Sequence, residues 1–364
     1  SYRYFYEDGY GKEYSIFNLR NVKEFSEPTK QMLMLANLLT LYKQKFIFDN
    51  SATEIAPYKI EDPLWIFVGS KVQGKKNQSD ILVVVRFLDR VLRDESWAVN
   101  DIAKILDGAS GLEDENGRDL FSPTYLEQRL SHLRENGFQP EGVYKDILKR
   151  IFHSERSAPL HLTDIKNAAG EIALRCGSGE FFGVIDIGDD KEFLKYVGAA
   201  ETDIHIEPPD DISNSLFNSI NQKNSDVNVL IGAKKFIEGW NSWRVSNIGL
   251  LNIGKSEGNQ IIPLFGRGVR LRGKHNSLKR SNAMPNESPP ANLPTLEKLN
   301  IFGVEANYTS HRHNLSFFKS PKPYCKQGAE SLFVGCISLV QPIKKSQFMP
   351  VLSIIHTRSC GGGL

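Results

Sequence analysis

Arg267 and Arg270 are the residues in this chain best suited to chemistry. They stand in the run Leu264-Phe265-Gly266-Arg267-Gly268-Val269-Arg270. If that run is helical, positions i and i+3 share one face. Two guanidiniums aimed at one anion make a phosphate grip, because each planar fork stays charged and donates bidentately. A pair presented this way suits the stabilisation of a transferring γ-phosphoryl group. The plainer alternative is that both arginines pair with surface carboxylates. Local charge bears on the choice. No acid occurs between Gly258 and Pro285, whereas Arg267, Arg270, Arg272, Lys274, Lys279 and Arg280 fall there.

The elements that must position this pair are legible from apolar runs. Leu64 to Val68, entered from Pro63, has the continuous apolar character of a buried parallel strand. Phe181 to Ile187, Val229 to Ala233 and Val245 to Ile253 read as further strands. Pro28 to Phe46 reads as a helix with Leu35, Leu38, Leu39 and Tyr42 on one face. Asp80 can cap another helix, whose apolar face is Val84, Val85, Leu88 and Leu92. The stretch from about 93 to 175 is polar and helical in pattern, with a loop cluster at Asp107-Gly108-Ala109-Ser110-Gly111, and predicts a helical insertion. Strands alternating with helices predict an α/β fold, a parallel sheet with helices on both faces.

Residues Lys234-Lys235-Phe236-Ile237-Glu238-Gly239-Trp240-Asn241-Ser242-Trp243-Arg244-Val245, followed by Leu264 to Gly273, resemble helicase motifs five and six of superfamily-two DNA motors. Within that group they are most similar to the Res subunit of type III restriction enzymes and its DEAD/DEAH-box relatives. Weaker likeness extends through Leu64 to Lys71, Gly183 to Asp189 and Leu299 to Val304. The resemblance implies a RecA-like second helicase lobe over 61–275. Residues 1–60 would join it to a first lobe, and 276–308 would supply a post-motif strand and loop. It implies ATP and Mg²⁺ as cofactors, bound mainly by the first lobe. DNA and a DNA methyltransferase (Mod) subunit are the implied partners.

By position in the motifs, Arg267 and Arg270 would be catalytic, reaching the γ-phosphate. Glu238, Gly239, Asn241 and Gly266 would contact ATP, Gly239 by permitting a tight backbone and Asn241 at an Asp/Asn position. Gly69, Ser70, Lys71 and Trp240 would contact DNA. The Gly69-Ser70-Lys71 end of its strand lies at a carboxyl edge, where open α/β sheets bind ligands. Trp240 and Trp243 would stack on bases or, equally, anchor the turn as core residues. One position departs from the motif. Pro263 replaces a glutamine, which removes an amide and puts proline inside a helix. Pro209-Asp210 exists, but no Glu-x-Lys follows, so the reading predicts no nuclease activity.

Gly249-Leu250-Leu251-Asn252-Ile253-Gly254-Lys255-Ser256 matches the Gly-x4-Gly-Lys-Ser phosphate loop. Its middle residues are bulky and strand-like, and the candidate acids Asp94-Glu95 and Asp189-Asp190 precede it, the reverse of the usual order. Two alternatives therefore stand beside the helicase reading. One is a catalytically inactive nucleic-acid-binding module, and the other a self-contained nucleotide hydrolase using Lys255-Ser256.

Composition sets outer bounds. With 364 residues the chain has ample length for a large core. A formal net charge of +2 gives no global signal for nucleic acid. The longest apolar stretch, Met32 to Tyr42, is too short to span a bilayer and contains Asn37 and Thr40. With no signal-peptide pattern, a cytoplasmic location is expected. Cys176, Cys325, Cys336 and Cys360 lie far apart without a Cys-x-x-Cys, so neither a zinc site nor a disulfide framework is expected. Residues 309–364 carry one acid, Glu330, and no clear period. They read as an atypical tail, frame-shifted, foreign or disordered.

Overall fold

The computed structural model describes residues 2–19, 25–69, 80–113, 117, 119–121, 133, 137–211, 213–233, 240–252, 258–285 and 288–304. Among them the chain passes through α1 (Tyr2–Glu7), β1 (Glu13–Asn18), the long α2 (Glu27–Asn50) and β2 (Leu64–Gly69). Helices α3 (Asp80–Arg93), α4 (Glu95–Leu106) and α5 (Pro140–Phe152) follow. Then come β3 (Leu160–Asp164), β4 (Glu171–Cys176), β5 (Phe181–Asp186), α6 (Asp190–Ala200) and β6 (His205–Ile206). The last elements are β7 (Val229–Ala233), β8 (Val245–Leu251), α7 (Gly258–Gly268) and β9 (Lys298–Val304).

These strands form one nine-stranded sheet in the order β1-β9-β8-β2-β7-β5-β4-β3-β6. Every neighbouring pair is parallel except β5–β4 and β4–β3, so β4 alone is reversed. The fold is therefore α/β, built on a mostly parallel mixed sheet. Strand β2 lies mid-sheet and is buried along its whole length. Its side chains alternate between faces. Trp65 and Phe67 enter a core shared with α2 to α6, while Leu64, Ile66 and Val68 enter a second core with Leu264, Phe265 and Val269. Helices thus cover both faces. No helix among the described residues is long and apolar enough to cross a membrane.

Helix α2 starts at a capping serine, whose Ser26 Oγ accepts the Thr29 N–H at 3.3 Å, with Pro28 in the first turn. It runs further than the sequence pattern suggests, and a one-sided apolar face does not describe it. Every residue from Met32 to Lys45 is buried, polar ones included. The cause is its place between the sheet, at β8 and β9, and the helices α4 and α5. Several of its buried polar groups are satisfied across that packing, whereas the Asn37 side chain has no hydrogen-bond partner among the described residues. Thr40 Oγ1 donates to Asn247 Oδ1 at 2.7 Å, and Asn247 Nδ2 donates to Gln44 Oε1 at 2.7 Å. Gln44 in turn donates to the carbonyls of Thr295 and Lys298.

The stretch expected to be a helical insertion is more mixed. It holds α4 and α5, but also β3, and β4 begins within it. Its helices bury Ile102, Ile105, Tyr144 and Ile147 in the main core. Leu160-His161-Leu162-Thr163-Asp164 buries Leu160, Leu162 and Thr163, and its polar residues break up the apolar run. Glu171-Ile172-Ala173-Leu174-Arg175 is rich in good helix formers, and antiparallel pairing overrides that preference.

Candidate functional site

Helix α7 carries the chain from the carboxyl end of β8 back to the amino edge of the parallel strands. Its return point is fixed by contacts to residues just before strands. Lys12, preceding β1, donates its main-chain N–H to Val269 O at 2.7 Å. Arg272 Nη1 pairs at 2.6 Å with Glu61, which precedes β2. Leu264, Phe265 and Val269 root the segment in the core. Gly268 lets it lie close, since a Cβ there would stand 2.9 Å from Leu299 Cδ2 and 3.3 Å from Ile248 Cδ1. Pro263 is exposed within the helix, which continues past it.

Arg267 occupies the last turn of α7, but Arg270 lies beyond the helix end. The two remain coupled by a turn in which the Arg270 N–H donates to Arg267 O at 3.2 Å. A shared helix face is thus replaced by a helix end and the turn after it, because regular helix stops at Gly268. Arg267 is half-buried, and its Nη1 is shielded from solvent without a hydrogen-bond partner. Arg270 Nη1 donates to Asn241 Oδ1. Among the described residues, no carboxylate pairs with either guanidinium.

The structure therefore brings Arg270 and Asn241 together, with Arg267 tied to Arg270 through the main chain. Asn241 is exposed, and its carbonyl accepts Asn221 Nδ2 at 2.8 Å. Gly266 is exposed, with open space where a Cβ would stand. Trp240 is 6% exposed and lies in the second apolar core, so its ring has no open face for a base. Of the two roles read for it, turn anchor is the one this burial fits. Trp243 lies under Arg272, ring centroid to guanidinium 5.3 Å. Glu238 and Gly239 lie outside the described residues.

Gly69 is at the other end of the sheet. It closes the carboxyl end of β2, where a Cβ would stand 2.5 Å from Asp80 Cβ. Asn252, just past β8, donates Nδ2 to Asp80 Oδ1 at 2.5 Å. Helices α3 and α7, which follow β2 and β8, pack on opposite faces, so this edge holds a topological switch point. Gly69 thus belongs to a different edge from the arginines. Ser70, Lys71, Lys255 and Ser256 lie outside the described residues. Gly249, the first glycine of the phosphate-loop pattern, sits inside β8. A Cβ there would be 2.4 Å from Phe67 Cδ1, so strand packing alone accounts for it.

The amino edge also holds buried charges that the sequence did not advertise. Lys45 Nζ contacts both oxygens of Asp62, at 2.8 and 2.9 Å, and Asn228 Oδ1 at 2.6 Å. Arg244 Nη2 reaches Asp62 at 3.0 Å while its Nη1 donates to Ile220 O at 2.6 Å. Burial depresses the pKa of both cations, and Asp62 opposes that in each. Lys12 donates to the carbonyls of Trp243, at 3.3 Å, and Val245. Burial pulls its pKa down to about 7 against the attraction of Glu297 and Glu61. Arg244 and Lys12 look in sequence like loop charges next to strands, and only the tertiary fold reveals them as buried.

A second polar cluster lies on the far side of the sheet, around Glu207. It accepts from His161 Nδ1 at 2.6 Å, from Thr163 Oγ1 at 2.7 Å and from Arg175. The His161 and His205 rings stack there with centroids 4.8 Å apart. Among the described residues, no group of three or more His, Cys, Asp or Glu is placed to hold a metal ion. Comparison with protein-family models, with curated proteins and with solved structures finds no match to the chain.

Proposed function

We propose that the chain is the second RecA-like lobe of an ATP-dependent DNA helicase or translocase similar to the Res subunit of type III restriction enzymes. Arg267 and Arg270 meet the γ-phosphate of a nucleotide held by a first lobe, which brings the phosphate loop and Mg²⁺. Asn241 orients Arg270 and shares the nucleotide contact. Gly69 at the opposite edge, with Ser70 and Lys71 next in sequence, contacts the DNA backbone, and a methyltransferase subunit is the expected partner of the parent enzyme. One observation carries the reading: among the described residues neither Arg267 nor Arg270 pairs with a carboxylate, and Arg270 is held by the amide that the motif resemblance assigns to nucleotide. Arginines kept clear of carboxylates are free to neutralise charge that develops on a phosphoryl group.

A specific feature favours a second reading, a nucleic-acid-binding module without catalysis. In the acid-free segment the cations stand over aromatic rings, Arg272 over Trp243, Lys274 over Tyr58, Lys279 over Tyr10 and Arg280 over Tyr6. Cations mixed with aromatic rings also suit a single strand.

Titration of the isolated chain with Mg-ATP and with DNA separates the readings. The motor lobe should bind Mg-ATP weakly, lose it in Arg270→Ala and keep it in Lys255→Ala. Tight Mg-ATP binding abolished by Lys255→Ala would instead identify a self-contained hydrolase. DNA binding that falls steeply with salt, with no Mg-ATP binding, would favour the second reading.

A further inference from the structure

Lys12 lies between the two segments that carry the arginine pair and its amide. Its main-chain N–H holds Val269 O at 2.7 Å, one residue before Arg270. Its ammonium holds the carbonyls of Trp243 and Val245, in the stretch that follows Asn241. The side chain is 5% exposed. The approach depends on Gly11, at φ +71°, where a Cβ would stand 2.7 Å from Val269 O. Arg280 fixes the same turn from behind, Nη1 donating to Tyr10 O at 3.2 Å and to Gly11 O at 3.0 Å.

We propose that Lys12 is a positioning residue: it ties the Arg270 segment to the Asn241 segment, so that its protonation sets how well the pair grips a phosphate chain. This rests on the nucleotide reading above and adds to it a regulated strut that touches no ligand. The pKa of Lys12 is depressed in the tied arrangement, so by linkage that arrangement is favoured as the proton leaves, and the neutral amine keeps two N–H donors for the two carbonyls. Its ordinary pKa would leave Lys12 charged at all physiological pH, whereas burial brings the change to about 7.

The charged groups around it are few and named. Glu297, before β9, and Glu61, before β2, attract the ammonium. Glu61 is also paired with Arg272, and Glu297 accepts from Ser281 N and Oγ. On its own side, Glu13 pairs with Lys298 at 4.0 Å and Arg280 supports the turn. Burial raises the pKa of Glu297 against the Ser281 hydrogen bonds.

The test is Mg-ATP affinity of the full chain between pH 6.5 and 9, for wild type, Lys12→Met and Arg270→Ala. Wild-type affinity should rise roughly tenfold across that range, which corresponds to a pKa about one unit lower in the tied arrangement than in the loose one. Lys12→Met should show a flat profile at the weak, low-pH level, and Arg270→Ala should not bind at any pH. Methionine leaves no buried charge behind, and thermal unfolding checks that the variant is folded. Independently, amide exchange protection at 243–245 and 269–270 should rise with increasing pH in wild type and be low and constant in Lys12→Met. If wild type and Lys12→Met share one profile while Arg270→Ala is dead, Lys12 has no such role although the nucleotide reading survives. If Arg270→Ala binds like wild type, or nothing binds, the nucleotide reading fails and this inference with it.

Discussion

Arg270 donates to the side-chain oxygen of Asn241 although 29 positions separate them in sequence. The bond joins the end of α7 to the segment leading into β8, and it holds one guanidinium by a neutral amide. An amide orients the fork without neutralising it, which a carboxylate would do. The pair should therefore act as a unit. In an enzyme joined to its first lobe, Asn241→Ala should lower kcat for ATP hydrolysis about 10- to 100-fold, the scale of losing one preorganised contact. Adding it to Arg270→Ala should cost little more. Fully additive losses would show that the bond does not serve catalysis.

Pro263 is exposed on α7, so its ring contributes little packing, while the helix around it lacks one N–H donor. Proline in a helix interior costs about 3 kcal/mol. Pro263→Gln should raise the thermal midpoint of the chain and, in the joined enzyme, raise ATPase activity. Equal midpoint and equal activity would mean that the helix has already adapted to the proline.

Lys12 also makes folding pH-dependent. Its pKa is depressed to about 7 in the fold from 10.5. Between those values the unfolded chain binds the extra proton, so stability rises with pH through that window. The cost of burying the ammonium is fully present below pH 7 and is relieved toward pH 10.5. Urea unfolding at pH 7 and pH 9.5 should show this rise in wild type, and a smaller one in Lys12→Met. A wild-type curve that falls or matches the variant contradicts the burial argument.

Glu207 works in the opposite direction. Burial alone would raise its pKa, but hydrogen bonds from Arg175, His161 and Thr163 hold it at about 2. Its contribution is complete above pH 4.5 and is lost as pH falls through about 2. Glu207→Gln should lower stability at neutral pH and flatten the acid limb of the unfolding profile. An unchanged acid limb would mean the cluster adds nothing to the fold.

Sequence legibility tracked burial pattern. Strands β2, β5, β7 and β8 announce themselves because a parallel strand covered on both faces is a continuous apolar run. Strands β3 and β4 do not, because polar residues interrupt their apolar ones, and β6 is two residues long at the sheet edge. The motif residues Arg267, Arg270 and Asn241 were legible as types, and their meeting needed the tertiary fold. The placement of the arginines at the amino edge, away from Gly69, was not legible, because it depends on the direction in which α7 returns. The polar bonds joining Thr40 and Gln44 to Asn247, like the contacts of Lys12 and Arg244, link residues far apart in sequence and leave no local pattern.

The most direct measurement is kcat for DNA-stimulated ATP hydrolysis by the chain joined to a first lobe, with Arg270 intact or changed to alanine. Arginine fingers contribute 10³–10⁵ in rate, so a drop of about a thousandfold or more is expected, with KM for ATP changed far less. A kcat within a few-fold of wild type would contradict the assignment of this guanidinium to the transferring phosphoryl group.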